Sequence, residues 1–159
     1  MELFKRMDQI AARCSDRIFA LTAGQARELQ DVGIGRASQY RVVPLGLELE
    51  PFLQGGDTRA ALRQELGLPA GTPLIGHISR LVPVKTVQYF IQAAQQVRRT
   101  HPTAEFLVIG DGPSRPAREE EARACGLLGN GVRFLGFRGD LPYLVGGLDI
   151  ASSPSIHEG

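Results

Sequence analysis

Two cations, Arg80 and Lys85, stand just beyond a short apolar run in the stretch Pro-Leu-Ile-Gly-His-Ile-Ser-Arg-Leu-Val-Pro-Val-Lys at 73–85. A guanidinium and an ammonium fixed at such a place can hold a phosphate and stabilise negative charge developing on it. They can equally be two solvated surface charges, and residue type alone leaves both readings open. A second candidate is Gly110-Asp111-Gly112, which follows another apolar run. Gly-x-Gly after a strand can begin a dinucleotide-binding turn. Here the third glycine of that fingerprint would fall at Arg115, and no acidic residue closes a following strand. The pair therefore reads as a tight strand-to-helix turn and not as a nicotinamide site. His77 lies inside the first apolar run and reads as a hydrogen-bonded core residue. Glu119, Glu120 and Glu121 with Arg115, Arg118 and Arg123 read as the solvated face of a helix. No Ser/His/Asp or Cys/His arrangement nominates a nucleophile.

The elements that must position these residues follow from periodicity. Residues 74–78 are apolar and uncharged, as in a strand buried on both faces. Pro83 breaks the chain into a loop, and apolar residues at 87, 90, 91, 94 and 97 predict a helix over 85–100 that leaves the loop at once. Arg80 and Lys85 then sit at the carboxyl end of a strand beside a helix N-terminus, where open α/β sheets bind ligands and anions are favoured. Upstream, 2–14 predicts an amphipathic helix, 17–22 a strand, 23–32 a helix capped by Thr22, and 40–43 a strand. Residues 45–56 carry little periodicity and read as a linker. Downstream, a helix at 58–66 precedes the first buried strand. Strands at 105–109, 132–135 and 149–152 alternate with helices at 115–125 and 140–145. Such alternation predicts an α/β fold with a doubly wound parallel sheet. Ser155 and Glu158 have capping-box spacing, from which a helix beyond Gly159, and so a longer protein, is expected.

Composition narrows the function classes. At 159 residues with 43% hydrophobic and 22% charged residues, the chain is an ordinary globular sequence of about one domain. A net charge of +1 makes no general case for a nucleic-acid partner, and the absence of tryptophan removes one kind of stacking platform. Two distant cysteines and three scattered histidines argue against a disulfide framework or a structural metal. No run is apolar enough for a leader or a membrane span, so a cytoplasmic location is expected.

Five stretches, taken in order, resemble the retaining glycosyltransferases of family 4, the glycosyl transferases group 1 with a two-domain GT-B fold. They are Ser-Asp-Arg at 15–17 running to Thr22, Val-Val-Pro-Leu-Gly-Leu-Glu at 42–48, Gly-His-Ile-Ser-Arg-Leu-Val-Pro-Val-Lys at 76–85, Val-Ile-Gly-Asp-Gly-Pro at 108–113, and Asp149 through Pro-Ser-Ile-His-Glu-Gly at 154–159. Phe-Leu-Gly at 134–136 fits between the last two. The resemblance implies a Rossmann-like, GT-B-type sheet truncated at both ends. Residues 1–44 would be the tail of an acceptor-side domain, 45–57 an interdomain linker, and 58–159 an incomplete sugar-nucleotide-binding domain. It implies transfer of a sugar from a nucleotide-sugar donor with retention, with part of the donor site carried here. Arg80, Lys85 and Glu158 take catalytic roles, the cations on the diphosphate and the glutamate on the donor sugar. Gly76, Gly110, Gly112, Gly136, Phe137 and Ser155 join them in donor binding, with the base met around 136–138. No metal and no cofactor are implied. The acceptor stays open as glycan, lipid or small molecule, with room for peripheral membrane contact through the N-terminal half. Alternatives are a sugar-nucleotide 2-epimerase of the same architecture and a non-catalytic nucleotide-binding module. The sequence departs from the family at Thr86, where glycine usually follows the lysine, and at Leu45 and Glu48 in the linker.

Overall fold

The structure is a computed structural model that describes residues 2–54 and 56–156. The chain forms two compact units, one running to Glu48 and the other beginning at Leu49. The first holds helix α1 (Glu2–Arg13), strand β1 (Ile18–Ala20), helix α2 (Ala23–Asp31) and strand β2 (Tyr40–Val42). β1 and β2 pair in parallel. Thr22 caps α2 as its residue type predicts, its hydroxyl accepting the amide hydrogen of Gln25 at 3.0 Å. The core of this unit is small, built on Ala20, Ala26 and Tyr40, and the apolar side chains of Leu3, Phe4, Met7 and Ile10 on α1 are exposed.

The second unit is a four-stranded, wholly parallel sheet: β3 (Leu74–Ile78), β4 (Glu105–Ile109), β5 (Val132–Gly136) and β6 (Ile150–Ala151), in the spatial order β5-β4-β3-β6. Helices α3 (Glu50–Gln54), α4 (Arg59–Glu65), α5 (Val87–Val97), α6 (Arg115–Ala124) and α7 (Leu141–Gly147) complete it. α3 falls inside the stretch expected to be plain linker. The expected alternation of strand and helix is present, and the parallel α/β architecture with it. Two clusters cover the two faces of the sheet. One gathers Ile75, Leu81, Phe90, Ile91, Phe106 and Val108, the other Leu62, Leu74, Leu107, Ile109 and Leu144. That is why β3 and β4 read as unbroken apolar runs. Among the described residues no helix is long and apolar enough to cross a membrane.

From β3 the chain moves outward through β4 to β5, then returns to the far side of β3 for β6. The strand order therefore reverses between β3 and β6, and in open α/β sheets such a place, beyond the carboxyl ends of the strands, is where ligands bind. At the opposite, amino edge, Arg63 is 4% exposed and ties β6 to the rest of the unit. Its guanidinium donates to the carbonyls of Thr72, Arg59 and Gly147 and to Asp149 at 2.5 Å. The same carboxylate oxygen accepts the amide of Leu74 at 2.8 Å. Removing the cation leaves those acceptors unmet in a dry place. Arg63→Ala is expected to cost about 2–4 kcal/mol, below the full penalty for an orphaned buried charge because Asp149 retains contact with water. Arg123→Ala, which breaks an exposed pair with Glu120, is expected to change stability by less than about 0.5 kcal/mol. Urea unfolding of the two variants checks both.

Candidate functional site at the carboxyl edge of the sheet

The loop leaving β3 begins with Ser79 and Arg80 and is pinned to the loop leaving β4. Ser79 donates its amide to Ile109, Leu81 donates to Asp111 at 2.8 Å, and Ser114 donates back to Leu81. This approach needs glycines. Gly110 has φ +128°, and a Cβ there would lie 1.9 Å from the Ser79 carbonyl oxygen. A Cβ on Gly112 would come within 2.5 Å of the Leu81 carbonyl oxygen. Both glycines of the turn are thus explained by backbone against backbone. Gly76 lies mid-strand, where a Cβ would meet Leu148 at 2.3 Å. Its lack of a side chain makes room for core packing two residues before the carboxyl edge, a different reason from the donor contact assigned to it. Gly136 ends β5 in the left-handed region at φ +72°, and its carbonyl accepts the amide of Gly110 at 2.7 Å.

Downstream of Arg80 the expected helix does not start at Lys85. Pro83–Lys85 forms a separate 3-10 turn, Thr86 follows at φ 45° and ψ 42°, and α5 begins only at Val87. The periodicity of 87–97 is that of α5 alone, because the break before it is a backbone reversal that leaves no mark in hydropathy. Thr86 is the one non-glycine residue at positive φ among the described residues. The left-handed region costs a residue with a Cβ about 1–2 kcal/mol, which accounts for glycine at this position in the family pattern. Here the strain is offset by a buried hydrogen bond from Thr86 Oγ1 to the Pro154 carbonyl at 2.5 Å.

That bond belongs to a seam. Ser152 donates its amide to Gly76 at 2.8 Å, the Ser152 carbonyl faces His77 Nδ1 at 3.0 Å, and Ile156 donates to Val84. His77 is fully buried, its ring 5.5 Å from that of Phe90 and tilted 38° to it, with Nε2 2.7 Å from Ser79 Oγ. The core role read from sequence holds. Residues 152–156 are thereby laid along the loop 79–86 across the crevice where the strand order reverses. Within that segment the Ser155 hydroxyl oxygen is buried, with no hydrogen-bond partner among the described residues. Glu158, and with it the capping box, lies outside the described residues.

Beside the crevice the exits of β3, β4 and β5 enclose a cavity of about 380 Å³, lined by Ile78, Ser79 and Arg80, by Ile109–Asp111, and by Phe137, Arg138 and Leu141. Its walls are apolar and its charges are mostly committed. Asp111 accepts from Gly112 N and from Arg115. Arg138 grips Asp140 through two bonds of 2.8 and 2.6 Å and reaches Glu65 at 2.7 Å. The Asp140 bond, reinforced by Glu65, raises the Arg138 pKa, and the Arg138 bond holds Glu65 below the usual carboxylate range against the opposing pull of burial. Burial, then its bond to Glu65, pushes Tyr143 up. Arg80 differs: it is exposed on the cavity wall, and its guanidinium makes no ion pair or hydrogen bond among the described residues. Lys85 is half-buried on the same loop and does not line the cavity. Phe137 is 83% exposed at the rim. Of the residues singled out from sequence, Arg80, Gly110, Phe137 and Arg138 line the cavity and Lys85 does not. Sequence reasoning assigned no role to Ser79 and gave no signal for the Glu65–Arg138 clamp.

The glycosyl transferases group 1 family matches residues 72–159. The chain belongs to that family. It is 34% identical over 131 residues to a 2-deoxystreptamine N-acetyl-D-glucosaminyltransferase of Streptomyces fradiae, covering 74% of this chain and 31% of that relative. It is 35% identical over 102 residues to a D-inositol 3-phosphate glycosyltransferase of Nocardia farcinica, covering 63% and 22%. Among solved structures, Anabaena HepE in complex with UDP and glucose superposes with a TM-score of 0.82 at 27% identity, over 95% of this chain and 41% of that one. The chain thus spans less than half the length of the proteins it matches.

Two outcomes follow from this geometry. Thr86→Val keeps the strained backbone and loses the bond to Pro154, and is expected to destabilise by about 2 kcal/mol. Thr86→Gly exchanges relief of strain for the lost bond and is expected to stay within about 1 kcal/mol of the parent. Chemical unfolding of both variants separates strain from hydrogen bonding. Glu65 has a lowered folded-state pKa, so its contribution is full above the unfolded carboxylate range and fades only as pH falls through the lowered value. The melting-temperature gap between the parent and Glu65→Gln should therefore be constant from pH 8 to pH 5 and close only in stronger acid.

Proposed function

We propose that this chain carries part of the donor site of a sugar-nucleotide-dependent glycosyltransferase that acts with retention, and that the cavity and crevice at the carboxyl edge receive the nucleoside diphosphate. The observation that carries the proposal is Arg80: a guanidinium with no ion pair or hydrogen bond among the described residues, on the wall of a largely apolar cavity, at the edge where a group 1 family member turns its strand order. HepE, similar in fold and 27% identical, was crystallised with UDP and glucose, which makes UDP the first donor nucleotide to try.

In the proposed reaction the bond between the sugar's anomeric carbon and the phosphate oxygen breaks. Its electron pair leaves with the diphosphate, the acceptor nucleophile bonds to the carbon on the same face, and the proton the acceptor releases passes to the departing phosphate oxygen. Arg80 and Lys85 meet the charge arriving on the departing phosphate, which they stabilise more in the transition state than before it. Glu158 is assigned to the donor sugar, Ser155 to a hydrogen bond with the donor, and the rim at Gly136 and Phe137 to the base. Sugar and acceptor selection belong to the whole protein. The site uses side-chain cations and no metal ion, so UDP affinity should be the same in EDTA as in magnesium.

The charge assignment has a sharp test. A charge-assisted contact is worth about 1.5–3 kcal/mol, so Arg80→Ala is expected to weaken UDP about 10–100-fold while leaving uridine binding unchanged. Isothermal titration of both ligands against both proteins reads the difference. Equal loss for uridine and UDP, or no loss for UDP, contradicts the phosphate role.

A further inference from the structure

Ser79 lines the cavity next to Arg80 and has no role in the donor-site assignment. Its hydroxyl touches the fully buried imidazole of His77 at 2.7 Å. The other ring nitrogen of His77, Nδ1, lies 3.0 Å from the Ser152 carbonyl. A carbonyl oxygen only accepts, so that contact requires a hydrogen on Nδ1. In the neutral ring Nε2 then presents a lone pair, and the Ser79 hydroxyl must donate to it. The Arg80 carbonyl also lies within reach of Ser79 Oγ, at 3.2 Å, but the shorter ring contact takes the hydrogen. A hydroxyl has one hydrogen and two lone pairs. With the hydrogen held inward, Ser79 offers the cavity an acceptor and no donor.

We propose that Ser79 is a specificity-determining residue of the nucleotide site, presenting a fixed acceptor that selects one N–H or O–H group of the ligand, and that His77 is the positioning residue that fixes its polarity. The inference rests on the nucleotide reading of the cavity and adds to it. Arg80 takes charge, whereas Ser79 repels an anionic oxygen and takes a hydrogen-bond donor such as a base imide or a ribose hydroxyl. The two neighbours therefore sort the ligand by polarity, phosphate toward one and nucleoside toward the other. Core histidine and β6 exit are coupled to ligand choice through a single hydrogen.

The test pairs one variant with ligand analogues. Ser79→Ala, a small change at a loop position, is expected to weaken UDP about 5–10-fold. Among N3-methyl-UDP, 2′-deoxy-UDP and 3′-deoxy-UDP, one analogue should bind the parent with the same loss and lose nothing further on Ser79→Ala. Unchanged UDP affinity on Ser79→Ala, or equal further losses for all three analogues, overturns the proposal. If the parent does not bind UDP, the nucleotide reading falls and this proposal with it. Failure of the analogue pattern with intact UDP binding refutes the Ser79 role alone. Nitrogen-15 spectra of the histidine rings supply an independent readout. His77 is expected to carry its hydrogen on Nδ1 with Nε2 bare, and a hydrogen on Nε2 overturns the proposal.

Discussion

Two carbonyl oxygens, those of Ser152 and Pro154, face buried side chains that come from the other side of the crevice, His77 and Thr86. This seam fixes where the segment leaving β6 lies against the loop leaving β3, and so fixes the shape of the place where the strand order reverses. β6 is only two residues long and cannot hold its exit by ladder bonds alone. The seam uses unusual local chemistry to do so. A β-branched residue occupies the left-handed region, and a histidine is wholly enclosed in an apolar core. Each feature is costly taken singly. Together they set a loop carrying Arg80 and Lys85 beside a segment carrying Ser155.

Charge at this edge is distributed in a way that favours one direction of approach. Asp111 is neutralised by Arg115 and an amide, and Arg138 by Asp140 and Glu65. These pairs stiffen the loops and leave little net field. Arg80 is then the cavity's uncommitted cation among the described residues, and an anion entering meets it without first breaking another bond. The partly buried pairs at the amino edge, Arg63 with Asp149 and Arg133 with Glu105, hold the sheet from the side away from the cavity. Stability and binding thus draw on separate sets of ionic contacts.

Much of the parallel fold was legible because β3 and β4 are buried on both faces and leave continuous apolar runs, with glycine turns between them and their helices. The cations of the proposed site stand out in the sequence, since Arg80 and Lys85 follow directly on such a run. The seam was not legible. Hydropathy carries no trace of the backbone reversal at Thr86, so one helix was expected where a 3-10 turn, a left-handed residue and α5 follow one another. Gly76 carries a packing requirement that its motif did not reveal: a Cβ there would meet Leu148. Arg63 gave no signal in the sequence, because its partner Asp149 lies 86 positions away. Contacts between residues some 70–90 positions apart have no local signature, and the Glu65–Arg138 clamp is another of that kind.

The central claim is that the carboxyl edge of this sheet, and no other surface of the chain, receives a nucleoside diphosphate. Backbone amide resonances followed during a UDP titration address it directly. Perturbations confined to residues 79–86, 110–112, 136–138 and 152–156 are the predicted result. Perturbations centred on the amino edge around Thr72 and Glu105, on the first unit, or nowhere would contradict it.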